Sequence, residues 1–188
     1  MISTIVAPAL ASFLLVFVSV LPIQRYNVAD QSTMQISGGS SMHDWACDAA
    51  VTGTVDRQSD EPGVLPIAVA IRVDVEEIEC GKRIMNKKLR KAFQSGRHPS
   101  VEFVMDDVSW SSDDVMTAEG TVTAAGVVRS VSVDVTEILD ERGNLSYTGS
   151  VDMLMTDFGI KPPTAMLGAM KTHDEVTVSF EIFITPVS

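Results

Sequence analysis

Apolar and polar residues alternate with a period of two along most of the chain. From Ile67 to Glu76 the odd positions are branched and apolar, while the even ones are small or charged. Val101, Phe103 and Met105 alternate with Glu102, Val104 and Asp106, and Val131, Val133 and Val135 with Ser130, Ser132, Asp134 and Thr136. Tyr147, Gly149, Val151, Met153 and Met155 repeat the pattern, as do Val176, Val178, Phe180, Ile182 and Ile184. A two-residue period marks strands with one buried face. Eight are predicted, over 31–38, 47–58, 66–78, 100–109, 114–123, 127–138, 145–155 and 174–185. Turn signals separate several of them: Asp60-Glu61-Pro62-Gly63, Ser111-Ser112-Asp113-Asp114, Ala125-Gly126 and Glu141-Arg142-Gly143-Asn144. Many short strands joined by tight turns give an antiparallel sandwich or a closed barrel, and alternation alone does not choose.

Two segments depart from the alternation. Met85, Leu89, Ala92 and Phe93 stand at helical spacing, predicting one helix at about 82–95 between the third and fourth strands, ended by Gly96 and Pro99. Asp157 to Thr172, with Gly159, Pro162, Pro163 and Gly168, reads as a structured loop with a short helix at Thr164 to Met170.

The 188 residues suffice for one domain, and hydrophobic residues make up 45% of them. A net charge of -11 argues against nucleic-acid binding. The first 24 residues carry no charged side chain and are mostly apolar from Ile2 to Ile23. They read as a secretory signal peptide, although no Lys or Arg precedes the apolar run; an uncleaved membrane anchor is the alternative. The domain then spans residues 25–188, periplasmic or secreted.

Export admits a disulfide between the two cysteines, Cys47 and Cys80. If the second and third strands form a hairpin, a Cys47–Cys80 pair centres it between Gly63 and Val64, beside the Pro62-Gly63 turn signal. The cysteines then face each other within bonding reach. Two free buried thiols are the alternative.

Four stretches carry a resemblance. One runs Met155-Thr156-Asp157-Phe158-Gly159-Ile160-Lys161-Pro162-Pro163-Thr164-Ala165-Met166-Leu167-Gly168 and continues from Lys171 to Val178. The others are Gly120 to Val131, Ser40-Ser41-Met42-His43-Asp44-Trp45, and His98-Pro99-Ser100-Val101-Glu102-Phe103. In this order they resemble the YceI-like domains, exported lipid-binding proteins, over roughly Ser32 to Thr185. The resemblance implies an all-β, lipocalin-like barrel of eight antiparallel strands holding a polyisoprenoid or similar amphiphile, with no catalytic residue set. The chain departs from the family in its pair of cysteines and its uncharged N-terminus.

With that fold, several side chains are candidates for lining the cavity. Trp45, Phe93, Phe103 and Phe158 are the aromatic ones, and Met153, Met155, Met166 and Met170 the flexible ones. Ile160 and Leu167 lie in the same Pro-rich stretch. Plain core packing is the competing role for each.

Lys82, Arg83, Lys87, Lys88, Arg90, Lys91 and Arg97 are seven of the 14 basic residues, and no acidic residue falls between Lys82 and Arg97. This is a solvated helix face or a patch for anionic head groups, with Lys87, Lys88 and Lys91 at its centre. His43 and Asp44 are sequence neighbours, so on a strand they would face opposite ways, and no nucleophile motif accompanies them. Three scattered histidines, His43, His98 and His173, have no metal-ligand spacing. Asp157 and Lys161 flank Phe158-Gly159-Ile160 and are either a pair at the cavity mouth or an ordinary surface pair.

The expected function is binding, for transport or storage, of a long-chain isoprenoid-type lipid in the cell envelope, with no cofactor, metal or catalysis. The competing reading is a structural or stress-related interaction module whose barrel is filled by its own side chains. An enzyme acting on a bound amphiphile is the weaker third.

Overall fold

The computed structural model describes residues 22–59, 61–112, 114–165 and 170–187, with the side chains of Ala165 and Met170 outside the description. The apolar segment 1–21 therefore lies outside the described residues, and no helix among them is long and apolar enough to cross a membrane.

The strands are β1 (Gln24–Val28), β2 (Thr33–Ser40), β3 (Trp45–Ala49), β4 (Val51–Arg57), β5 (Ala68–Asp74), β6 (Ser100–Trp110), β7 (Val115–Ala124), β8 (Val127–Leu139), β9 (Leu145–Leu154), β10 (Thr164–Ala165) and β11 (Met170–Pro186). They form one antiparallel sheet in which β4, β5, β6, β7, β8 and β9 pair in sequence order and β9 pairs β11. The second edge of β11 takes β2 over Thr33–Ser40 and β1 over Tyr26–Val28. On their far sides β2 pairs β3 and β1 pairs β4. Thus β1 and β2 share one position in the wall, and β3 and β4 another, each broken by a kink. The result is a closed barrel of eight strand positions, the number whose bore just fits side chains or one slim ligand.

The helix α1 (Arg83–Phe93) follows β5, not the third strand. The strand count differs because β1 and the two-residue β10 are additional and because the long second strand is interrupted at Ala50. Gln94, at φ 54°, ends the helix in a left-handed conformation, and its N–H and that of Ser95 reach the Lys91 and Arg90 carbonyls. Gly96 is thus not the terminator. The short helix expected from Thr164 is absent where the chain is described: Thr164 and Ala165 are β10, paired with Lys171 and Met170, and 166–169 lie outside the described residues.

Two local irregularities set the wall's geometry. Along β6 the partners change from Met105↔Gly120 to Asp107↔Glu119, so Asp106 is an extra residue. Inward positions switch from Val101, Phe103 and Met105 to Val108 and Trp110, all of which pack against the core. At the second irregularity, β4 and β5 pair Val51 with Val73, a register centred on Pro62. The isolated bridge Asp48↔Glu79 lies three residues beyond what that register would give. The insertion is the three-residue 3-10 turn Val75–Glu77, capped by the Asp74 carboxylate on the Glu76 N–H at 2.9 Å. Past it, the Asp48 and Glu79 backbones exchange two hydrogen bonds of 2.8 Å, and Cys47 meets Cys80 in a disulfide with Cα atoms 4.0 Å apart. The pairing is as expected from the sequence; the hairpin's centre is not.

In the β7–β8 connection Ala125 and Gly126 both have positive φ, 49° and 80°, the twist that suits a two-residue hairpin. Gly120 is required by contact instead. A Cβ there would stand 2.4 Å from the Val104 carbonyl oxygen and 2.6 Å from the Phe103 ring.

Candidate functional site: the barrel cavity

In a closed antiparallel meander the connections alternate between two ends. Among the described residues, one end gathers 58–59, 61–67, 111–112, 114 and 140–144. The other gathers 41–44, 75–99, 125–126 and 155–165, and α1 lies across it.

The first end is plugged. Arg57 is fully buried; its guanidinium donates to the Glu61 and Val64 carbonyls at 2.8 and 2.9 Å, to Glu137 at 3.3 Å, and to the Tyr147 hydroxyl. Glu137 also accepts from the Gly63 N–H at 2.6 Å, so the β4–β5 loop is tied down over the barrel. Burial pushes the Tyr147 phenol well above the usual tyrosine range; Glu137 acts in the same direction and Arg57 against it. The residue types at Arg57, Glu137 and Tyr147 follow the inward parity of Val55, Val135 and Val151, so alternation placed all three inside. Polarity hid that signal at Arg57 and Glu137, whereas Tyr147 already stood in the alternating set.

Between this plug and α1 runs a cavity of about 230 Å³. Its wall takes Met34 and Ile36 from β2, Val69, Ile71 and Val73 from β5, and Val101, Phe103 and Met105 from β6. Val122 and Ala124 come from β7, Val131, Val133 and Val135 from β8, Val151 and Met153 from β9, and Val176, Val178, Phe180 and Ile182 from β11. Near α1, at its mouth, it is lined by Phe93, Met155, Phe158 and Ile160. Glu102 is the one charged residue along it among the described residues, and its carboxylate is held at Arg72, 2.5 Å away. The space exceeds the roughly 150 Å³ apolar cavity that stays dry and admits benzene, and a wall of this kind holds no water firmly. A hydrocarbon entering it gains about 0.8 kcal/mol per buried CH₂.

Of the expected lining residues, Phe93, Phe103, Met153, Met155, Phe158 and Ile160 do line the cavity. Trp45 does not: its indole N–H donates to the Gly39 carbonyl at 3.2 Å and its ring covers Gly38, on the β2–β3 hairpin. Met166 and Leu167 lie outside the described residues, and Met170 contributes backbone to β11 with its side chain undescribed. Residues not singled out, such as Ile71, Val131, Val151 and Phe180, carry much of the wall; their inward parity was the available signal.

Lys87 and Lys91 are exposed on α1, while Lys88 turns toward the barrel and donates to the Thr164 carbonyl at 2.6 Å. His43 and Asp44 sit in the β2–β3 turn, not on a strand, and Ser40 Oγ accepts from the His43 N–H at 3.2 Å. The His98 ring covers Gly126, and His173 stands over Gly39. Among the described residues Asp157 and Lys161 form no ion pair with each other.

Solved structures share this architecture. BcnA of Burkholderia cenocepacia superposes with a TM-score of 0.69 at 15% identity, over 84% of this chain and 99% of its own. A polyisoprenoid binding domain from Saccharophagus degradans, implicated in plant cell wall breakdown, gives 0.66 at 9% identity over 88% and 100%. A YceI protein of Campylobacter jejuni gives 0.58 at 14% over 73% and 81%. Identities this low show the fold alone. Among curated proteins nothing matches. The YceI-like domain profile matches residues 28–184, which takes in the barrel from the end of β1 to β11. The chain belongs to the YceI-like domain family.

Proposed function

We propose that this chain binds one long-chain isoprenoid or similar amphiphilic lipid inside the barrel, and carries or stores it in the cell envelope. The observation behind the proposal is the cavity itself, apolar from the Tyr147 plug to Phe93. A slim flexible chain suits the narrow bore of a barrel of eight strand positions, which just fits side chains or one small ligand. Five methionines along it, Met34, Met105, Met116, Met153 and Met155, give a wall that adapts to the chain's shape. The Saccharophagus domain named above lends support from a neighbour of the same fold. Catalysis has no part in this reading: His43 and Asp44 lie in an exposed turn at the rim.

Native mass spectrometry of the full chain purified from cells, followed by organic extraction, tests the proposal. A lipid adduct released by solvent is expected. Val131→Trp and Val151→Trp, which fill the bore from two strands, should each lower its occupancy while leaving the melting temperature within a few degrees. A lipid-free protein that takes up no added polyprenol or long-chain lipid would overturn the proposal and favour the self-filled module.

A further inference from the structure

The outer face of α1 has no counterpart in the barrel. Arg83, Lys87 and Lys91 stand at successive four-residue steps and form one exposed stripe, with Ile84 beside them at 66% exposure. Lys82 and Arg97, also exposed, flank the stripe at the two ends of the segment. Arg90 points the other way and is committed to Glu76 and Glu79, at 3.2 and 3.8 Å. None of Arg83, Lys87 and Lys91 pairs with a carboxylate among the described residues.

Helix stability explains only part of this arrangement. Lys91 in the last turn suits the helix dipole, but Arg83 in the first turn opposes it, and like charges four residues apart repel. The first turn holds no acidic residue, and the segment lies in a chain of net charge -11. On its opposite face the same helix is built into the cavity mouth: Leu89 packs on the main core, and Ala92 and Phe93 pack with Phe158 and Ile160. A cationic stripe with an aliphatic side chain among the charges is the composition of a helix lying on an anionic bilayer.

We propose that α1 docks the barrel on an anionic membrane surface through Arg83, Ile84, Lys87 and Lys91, which sets the cavity mouth against the bilayer. The proposal deepens the lipid-carrier reading and rests on it for purpose, though not for the contact itself. Lys88 is not part of the contact, because its ammonium group is held by the Thr164 carbonyl.

The test is flotation of the full chain with vesicles of phosphatidylcholine alone and of phosphatidylcholine mixed with phosphatidylglycerol in about equal parts. Insertion of the apolar N-terminal residues would act on both, so the difference between them reports the charged contact. The wild type should prefer the anionic vesicles and lose that preference as salt screens the surface. Arg83→Gln, Lys87→Gln and Lys91→Gln together should lower the anionic partition roughly a hundredfold, at about fivefold per cation. Arg83→Lys with Lys87→Arg and Lys91→Arg should retain it, and both variants should melt with the wild type. Equal partition onto neutral and anionic vesicles, or an unchanged partition of the triple Gln variant, overturns docking. A wild type that docks but never holds lipid overturns the carrier reading and leaves docking standing.

Discussion

Arg57 shows how much a single side chain decides in this barrel. Its guanidinium is buried with Glu137 and Tyr147 and spans two loop carbonyls, so truncation leaves a carboxylate and a phenol without their partner. Arg57→Ala should cost about 3–5 kcal/mol by urea denaturation, whereas Arg57→Met with Glu137→Leu and Tyr147→Phe should restore most of that loss. The raised Tyr147 phenol adds a pH signature. A group whose folded value lies above its unfolded value stabilises fully below the unfolded one, about 10 for tyrosine, and loses that contribution as pH rises further. The urea midpoint of the wild type should therefore fall more steeply above about pH 10 than that of Tyr147→Phe. Legibility at this scale divided along polarity. Inward parity puts Phe103, Tyr147, Met153 and Met155 on the cavity side, where they lie, and it equally marks Arg57 and Glu137, whose charge argues the other way. Trp45 was misplaced because a ring at a strand start can cover a glycine on its neighbour as readily as fill a bore.

Among the elements, the strands were legible because each has one wet and one dry face. Their interruptions were not. Nothing in Met105-Asp106-Asp107 distinguishes a bulge from one more alternating pair, and the break at Ala50 falls between two apolar residues. The turn Val75–Glu77 continues the strand pattern in sequence, yet it leaves the ladder and returns three residues out of phase. The disulfide holds β3 to the chain at the end of that excursion. Closing a loop with a sequence separation of 33, it should contribute about 3–4 kcal/mol by the loop-entropy relation. Cys47→Ala with Cys80→Ala should lower the urea stability by that amount. A midpoint that does not move would show that the ladder and α1 hold the segment unaided.

At the scale of the whole molecule, period-two alternation could not separate barrel from sandwich; the resemblance supplied that choice. β1 escaped notice because five residues at the edge of an apolar run carry too few alternations to read, although Tyr26 within it is buried. Its position bears on the N-terminal segment. β1 begins at Gln24 and its Arg25 pairs with Asp56 of β4 at 2.7 Å, so a leader removed on export has to be cut before Gln24. If the segment is removed, the intact mass of the protein should then correspond to a start at or before Gln24. A mass that includes residues 1–21 would make the segment an anchor instead.

Closure between Tyr26 and Pro186 also governs how the barrel comes into being. A chain that emerges N-terminus first delivers β1 and β2 first and their partner β11 last, so both seam edges stay unpaired until the final strand arrives. Contacts of such sequence separation form slowly, and open strand edges invite pairing with other chains. The period between emergence and closure is thus when this protein is most exposed to aggregation and has most to gain from a holding chaperone.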